Sequence, residues 1–344
     1  MDQPSPPRPA VMIDVARLAG VSHQTVSRVL NGHPSVRDET RERVLTAVRQ
    51  LNYRPNALAR GLAGRRSRVL GVVSFDTILY GPAATLLGVE RAARAAGYGV
   101  SIVTLEQLDH DGVSDALSAL AEQSVAGVVI IAPFTNTAAA LRSLPMGIPA
   151  VVVEAGASGG LPAISVDQVA GAELAVRHLL ELGHETVWHV RGPQNWLEAR
   201  DREGAWRSTL EAAGRSVPPV IDGDWSARSG YQAGLRLAGD PRVTAVFCAN
   251  DQQALGLLRA FHERGVRVPD SVSVVGFDDI PEAEFMSPPL TTIRQDFDEV
   301  GRRCLAMLLD LLDSPVETPV YPRVTPVLVS RASTGIRQSA NANS

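Results

Sequence analysis

The chain has 344 residues, 45% of them apolar, and a formal net charge of -4, enough material for two or three compact units of an ordinary soluble protein. No stretch approaches eighteen consecutive apolar residues, and the first ten residues lack the apolar centre of a signal peptide, so a spanning helix is excluded and a cytoplasmic location is expected. Two cysteines, Cys248 and Cys304, each inside an apolar run, and seven scattered histidines exclude a disulfide framework and predict neither a metal site nor a cofactor.

The charge is unevenly spread. Residues 1–68 hold 12 arginines against 5 acidic residues, a net +7, whereas 69–344 hold 21 against 32, a net -11; no lysine occurs anywhere. A basic head on an acidic body is the footprint of a protein that meets a polyanion at one end, although charge alone is equally compatible with a solvated face.

Within the head, IDVARLA (13–19) places apolar residues at helical spacing and Gly20 ends the run. Ser22 then caps a second helix from His23 to Leu30, whose Val26, Val29 and Leu30 face inward. Two short helices around a glycine turn make a helix-turn-helix, and a third, from Asp38 or Glu39 to Leu51, completes a small core. In such a motif the second helix enters the major groove. Its first turn carries His23, Gln24 and Thr25, with Ser27, Arg28 and Asn31 placed for further base or phosphate contact. Gln pairs bidentately with adenine and Thr meets a thymine methyl. Any one of these residues alone would be ordinary surface; their sharing one helix beside a glycine turn carries the reading.

The segments VMIDVARLAGVSHQTVSRVLNG and VRDETRERVLTAVRQLNYRPNALARGLAG resemble the DNA-binding head of the LacI/GalR family of transcriptional regulators almost position for position. The resemblance implies that residues 56–64 are a hinge that becomes helical only on DNA. Leu62 would occupy the position that wedges into the minor groove of a palindromic double-stranded operator, with Ala63 beside it among the DNA-contacting residues, a mechanism that needs a homodimer; by composition Asn56, also placed at the DNA, can cap the segment. A plain linker is the competing reading, since nine residues are too few for a helix to stand alone.

Past residue 68, short apolar strands alternate with helical stretches: VLGVVSF (69–75), a helix over 85–96, GVSIVTL (99–105), a helix over 113–123, GVVIIAP (127–133), a helix over 137–144 and PAVVVE (149–154). The alternation continues through helix 170–182, ETVWHVRG (185–192), helix 196–213, TAVFCAN (244–250), helix 252–264 and VSVVGFDD (272–279). Strand then helix, repeated, predicts parallel sheets in two α/β subdomains. Ligands of such sheets lie beyond the carboxyl ends of the strands, where this chain carries Phe75, Glu154, Trp196, Asn250 and Asp278. Planar polar groups and aromatic faces of that kind suit a sugar.

The body also resembles the LacI/GalR core, with the two-lobed fold of periplasmic sugar-binding proteins, through VDQVAGAELAVRHLLELGH, GDWSARSG, CANDQQALG, DSVSVVGFDD and PPLTTIRQDFDEVG. The resemblance implies that Arg200, Asn250 and Asp278 hydrogen-bond a small sugar effector while Trp225 and Phe297 supply apolar walls. Read from the residues alone, Arg200 is a surface helix residue, Asn250-Asp251 a helix cap, and both Trp225 and Phe297 fit a core. Where one member of the family carries an Asn and an Asp ligand, this chain has Ala132 and Glu154, which leaves the sugar open.

The expected organisation is thus a helix-turn-helix head (1–55), a hinge and linker (56–68), and a core (69–332) whose lobes are about 69–165 with 298–322 and about 166–297 with 323–332. A disordered tail (333–344) follows, without the leucine heptads that build tetramers. The expected function is an operator-binding repressor of sugar-utilisation genes, released by its sugar. The same family architecture with a co-repressing or activating ligand, a sugar-transport protein, and an enzyme are the alternatives; the head argues against transport, and the absence of a phosphate loop or nucleophile elbow against catalysis.

Overall fold

The structure, a computed structural model, describes residues 10–30, 33, 35–51, 53, 67–75, 78–105, 110–134, 148–153, 161–313 and 322–337. It divides into two compact units, Met1–Ser67 and Arg68–Ser344.

The smaller unit contains α1 (Met12–Ala19), α2 (His23–Leu30) and α3 (Asp38–Gln50). Gly20 stops α1 in the left-handed region at φ 63°, where its N–H reaches the carbonyls of Ala16 and Arg17. Ser22 then accepts the Thr25 N–H at 3.1 Å, starting α2 one turn later. Val15, Ala16 and Ala19 from α1, Val26 and Val29 from α2, and Val44 and Ala47 from α3 close on one another with Tyr53. The three amphipathic helices thereby bury one small core and leave their polar faces outward.

In the larger unit, the first lobe is built on β1 (Val69–Phe75), β2 (Gly99–Leu105), β3 (Val128–Ile131), β4 (Ala150–Val153) and β5 (Ala163–Ile164), all parallel in the order β2-β1-β3-β4-β5. Two helices, α4 (Tyr80–Ala95) and α5 (His110–Glu122), cover opposite faces, Val89 and Ala93 packing on Leu70 and Val72, and Leu117 and Leu120 on Val73 and Ile130. The second lobe has α6 (Gln168–Glu181), β6 (Trp188–Val190), α7 (Leu197–Ala212), α8 (Ala227–Leu237), β7 (Ala245–Cys248), α9 (Asp251–Glu263) and β8 (Ser273–Val275), its strands parallel in the order β6-β7-β8.

Both lobes are discontinuous in sequence. After β9 (Thr292–Arg294) the chain returns to the first lobe as α10 (Phe297–Asp313), which packs against α4 so closely that a Cβ at Gly88 or Gly301 would strike the facing backbone. It crosses once more to place β10 (Val327–Val329) antiparallel to β9. Near the crossings, the Val324 N–H bonds the Ser165 carbonyl and the Asp167 N–H bonds that of Val324, so two of the connecting segments are tied to each other. Among the described residues no helix is long and apolar enough to cross a membrane.

Several sequence expectations are corrected. Helix α4 begins at Tyr80 rather than residue 85, because Pro82 sits in its first turn, where no intrahelical N–H is required. Helix α8 was not anticipated at all. The tail does not begin at 333: Ser333 is fully buried, its hydroxyl donating to the Val274 carbonyl at 2.6 Å and accepting the Thr291 N–H at 2.7 Å, and the Arg337 N–H still reaches the Leu182 carbonyl at 2.8 Å. The segment 331–337 is therefore part of the second lobe. The helix expected over 137–144 lies outside the described residues.

Candidate functional sites

On α2, Val26 and Val29 point into the core while His23, Gln24 and Arg28 are exposed and Thr25 and Ser27 half-buried. Helical geometry places these polar residues on the outer face, one turn from the Gly20 stop. The Thr25 hydroxyl is engaged locally, 2.9 Å from that of Ser22. Among the described residues α2 carries no carboxylate, so nothing on it repels a phosphate backbone. Asn31, Asn56, Leu62 and Ala63 lie outside the described residues.

In the larger unit, the two lobes enclose a cleft with about 510 Å³ of empty space, part of it open to solvent. From the first lobe it receives the start of α4 (Leu79, Tyr80, Pro82, Thr85), the end of β3 with Ile131 and Pro133, and Phe297 at the head of α10. The second lobe contributes Gln168, Trp196, Glu198, Arg202, Trp225, Asn250 and Asp278, with Gln295 from the crossing segment. Trp196, Trp225, Asn250, Asp278 and Phe297, all expected from the sequence, line this cleft together.

Two expected residues do not. Arg200 is exposed, and its Nε donates to the Gln194 carbonyl at 2.7 Å. The arginine turned inward is Arg202, two residues on, because α7 rotates by about 200° over that interval. Phe75 is fully buried at the end of β1, its ring packed edge-on against Phe134 at 6.0 Å, so it supports the wall rather than forming it. Glu154 lies outside the described residues, and Ala132 is a buried core residue.

Arg202 organises the polar floor. It is 4% exposed and stacks over Phe277 at 3.7 Å. Its Nε donates to Gln168 Oε1 at 2.9 Å, its Nη1 to the Ala249 carbonyl, and its Nη2 stands 3.7 Å from Asp278. Gln168 in turn donates to Gln295 Oε1 at 2.9 Å, and Gln295 donates to Asp278 Oδ1 at 2.7 Å. The four side chains close a ring, each holding the next, and two of them stand where the chain crosses between lobes. Such a network is rigid because every member has only one arrangement that satisfies the others. Burial pushes the Asp278 carboxyl up to about 6 against the opposing pull of Arg202 and of the Gln295 donor.

Asn250 serves two purposes. Its Oδ1 caps α9 by accepting the Gln253 N–H at 2.9 Å, and its Nδ2 donates to the Trp225 carbonyl at 3.0 Å. Asp251 is buried behind it, taking Thr292 Oγ1 at 2.6 Å and the Ile280 N–H at 2.9 Å; burial, with the Asp278 charge adding to it, holds its carboxyl well above the usual range. Trp225 sits at φ 69°, a left-handed backbone rarely adopted by a bulky residue, and Asp278 at φ 112°. Both outliers face the cleft. Trp225 stands edge-on to Trp196 at 5.7 Å, which meets Phe134 at 5.1 Å, and Tyr80 meets Phe297 at 6.0 Å, so aromatic contacts line both lobes.

Sequence reasoning missed Arg202, Glu198, Gln168, Gln295 and Thr85. The signal for Arg202 was present: in the run EARDREGAW, it is Arg202 that falls one turn before the buried Trp206. No comparable signal marks the two glutamines.

Residues 11–56 match the family model described as bacterial regulatory proteins, lacI family, and residues 176–334 match a periplasmic binding protein-like domain. The chain is 36% identical over 308 residues to the lactose operon repressor of Escherichia coli (strain K12), covering 88% of this chain and 85% of that one. It is 34% identical over 331 residues to the HTH-type transcriptional repressor PurR of Haemophilus influenzae (strain ATCC 51907 / DSM 11121 / KW20 / Rd), covering 94% and 98%. Its fold matches a crystal structure of the lac repressor dimer bound to operator and the anti-inducer ONPF with a TM-score of 0.86, at 34% identity, over 95% of this chain and all of that one. With a helix-turn-helix head, a two-lobed core and full-length likeness all present in one molecule, the chain belongs to the lacI family of bacterial regulatory proteins.

Proposed function

We propose that this protein is a transcriptional repressor of sugar-utilisation genes that binds a palindromic operator as a homodimer and is released by a small sugar in the cleft. The observation that carries the reading is the union in one chain of an exposed polar helix, free of carboxylates, with a cleft whose floor is a closed polar ring at the lobe crossings. The relative named for the lactose operon and the operator-bound dimer it resembles support it. His23, Gln24 and Arg28 would meet the groove, and Trp196, Arg202, Trp225, Asn250 and Asp278 the sugar. The protein would act in the cytoplasm, where the operator is. Sugar binding shifts the population of lobe arrangements, and the shift is felt at the DNA because the two equilibria are linked.

A mobility-shift titration on the DNA upstream of the gene, with and without a panel of mono- and disaccharides, tests this. Sugar-dependent loss of the complex is the expected result. Binding undiminished by every sugar rejects induction, and binding that requires a ligand makes that ligand a co-repressor. Gln24→Ala is expected to lower specific affinity by about 1–3 kcal/mol while sparing non-specific binding.

A further inference from the structure

The effector cleft has an electrostatic and hydrogen-bonding signature that narrows the ligand beyond the reading above, on which this inference rests. Among the described residues, three charged side chains of both signs line it: the carboxylates of Glu198 and Asp278, and the guanidinium of Arg202. The cation is committed. Its Nε and Nη1 donate to Gln168 and Ala249, its face lies on Phe277, and its remaining charge is turned toward Asp278. Among the described residues, an incoming anion therefore meets the carboxylate of Glu198 beside the Arg202–Asp278 pair, and no cation outside that pair. The phenol of Tyr80, in the same wall, is held above its usual range by burial and by the charges of Asp278, Asp279, Asp251 and Glu282, which reports the same negative field.

The polar atoms of the cleft wall that are buried without a hydrogen-bond partner among the described residues include Thr85 Oγ1 on the first lobe and Trp225 Nε1 on the second. Buried polar groups left unpaired are costly, and native proteins keep them mainly where something else supplies the partner. Trp225 Nε1 can only donate, a carboxylate can only accept, and a hydroxyl does either. A polyhydroxylated ring offers acceptors to the indole and donors to the carboxylates at once, and its apolar face suits Trp196 and Trp225. A phosphate monoester is mostly dianionic at neutral pH and offers acceptors with scarcely a donor, and a planar base offers its few donors only in one plane.

We infer that the effector is an uncharged sugar that accepts a hydrogen bond from Trp225 Nε1 and makes another with Thr85 Oγ1, one from each lobe, and that Glu198 and Asp278 exclude phosphorylated and carboxylated sugars. The two contacts span the cleft, so the ligand itself bridges the lobes.

Matched pairs test this on the full chain by thermal shift and calorimetry: glucose, galactose and ribose against glucose 6-phosphate, galactose 6-phosphate and ribose 5-phosphate, with glucuronate, cellobiose, lactose, guanine and hypoxanthine. At least one neutral sugar is expected to bind, and its anionic partner to bind on the order of 100-fold more weakly. Tighter binding of a phosphorylated or carboxylated sugar, or of a base, than of every neutral sugar overturns this inference while leaving release by a small molecule intact. Failure of every compound to bind overturns both. With the neutral sugar so found, Thr85→Val is expected to lower affinity about tenfold, the effect of one hydrogen bond, without lowering the Tm of the free protein, since the variant removes an unpaired hydroxyl. Unchanged affinity rejects the Thr85 contact. Glu198→Gln is expected to narrow the preference for neutral over phosphorylated sugar about tenfold, and an unaltered preference rejects its excluding role.

Discussion

The two lobes of the core share a parallel-sheet plan but contribute differently to the cleft between them. From the first come Leu79, Pro82, Ile131, Pro133 and Phe297, with Tyr80 and Thr85 as its polar members. The second supplies Glu198, Arg202, Asn250 and Asp278, hence, among the described residues, every carboxylate and guanidinium that lines the cleft. Charges placed on one side of a cleft can be fixed by that lobe's own framework, whatever the other lobe does. Here the fixing is visible: Asn250 caps α9, Arg202 is anchored to the Ala249 carbonyl, and Asp278 is held by Gln295. Among the described residues the contrast assigns the charged part of recognition to the second lobe, and apolar coverage with the Thr85 hydroxyl to the first, within the function proposed above.

The largest expected effect comes from breaking the ring. Arg202→Met leaves Asp278 as a buried carboxylate without its counter-charge, and loss of one partner of a buried pair costs about 3–5 kcal/mol. Urea unfolding should register that loss, and sugar-dependent release should disappear. Arg200→Met, two residues away on the same helix but exposed, should change stability by less than about 0.5 kcal/mol. Equal effects of the two substitutions would erase the distinction between the inward and outward arginines.

A milder perturbation moves one wall of the second lobe and leaves its charges in place. A methyl at Gly192 would stand 2.6 Å from Cζ2 and 2.7 Å from Cζ3 of Trp225, and closer still to Cη2, so the indole has to shift. Gly192→Ala is expected to cost about 1–3 kcal/mol in stability, as overpacking does. If Trp225 is the stacking face, sugar affinity falls as well. Retained affinity together with the stability loss would confine Trp225 to a core role.

How far the sequence reveals this molecule depends on what each residue answers to. Strand and helix order follows from local apolar periodicity, which is why β1 to β4 and the three head helices sit where the pattern puts them. Helix α8 escaped because Gly230 and Gly234 read as breakers, yet they are small so that α8 can lie against Gln253, Leu257 and Ala260 of α9, a requirement set by a partner 20 to 30 residues away. The same holds in the cleft. Asn250 and Asp278 follow strands and were legible from position alone, whereas Gln168 and Gln295 are separated by 127 residues and acquire meaning only through each other. Arg200 and Arg202 differ only in helical phase, which a charged run with few apolar markers does not fix.

The smallest of the expected effects is a pH dependence. Asp278 has its carboxyl raised from 3.8 to about 6 in the folded protein, chiefly by burial. Between those values the folded state binds a proton that the unfolded state does not, so this group adds stability as pH falls from 7 toward 4 and withdraws it as pH rises through 6. From pH 7 to pH 5 the gain from this residue is about 1 kcal/mol. His189, buried and lowered to about 4, acts in the opposite sense below 6.5, so the total curve conceals both. Asp278→Asn separates them. The variant lacks the titrating carboxyl, and the difference in unfolding free energy between variant and parent should therefore shift in favour of the parent on going from pH 7 to pH 5. A difference that stays constant with pH would mean that the Arg202 ring holds Asp278 ionised throughout, which would make the charge of the second lobe permanent rather than adjustable.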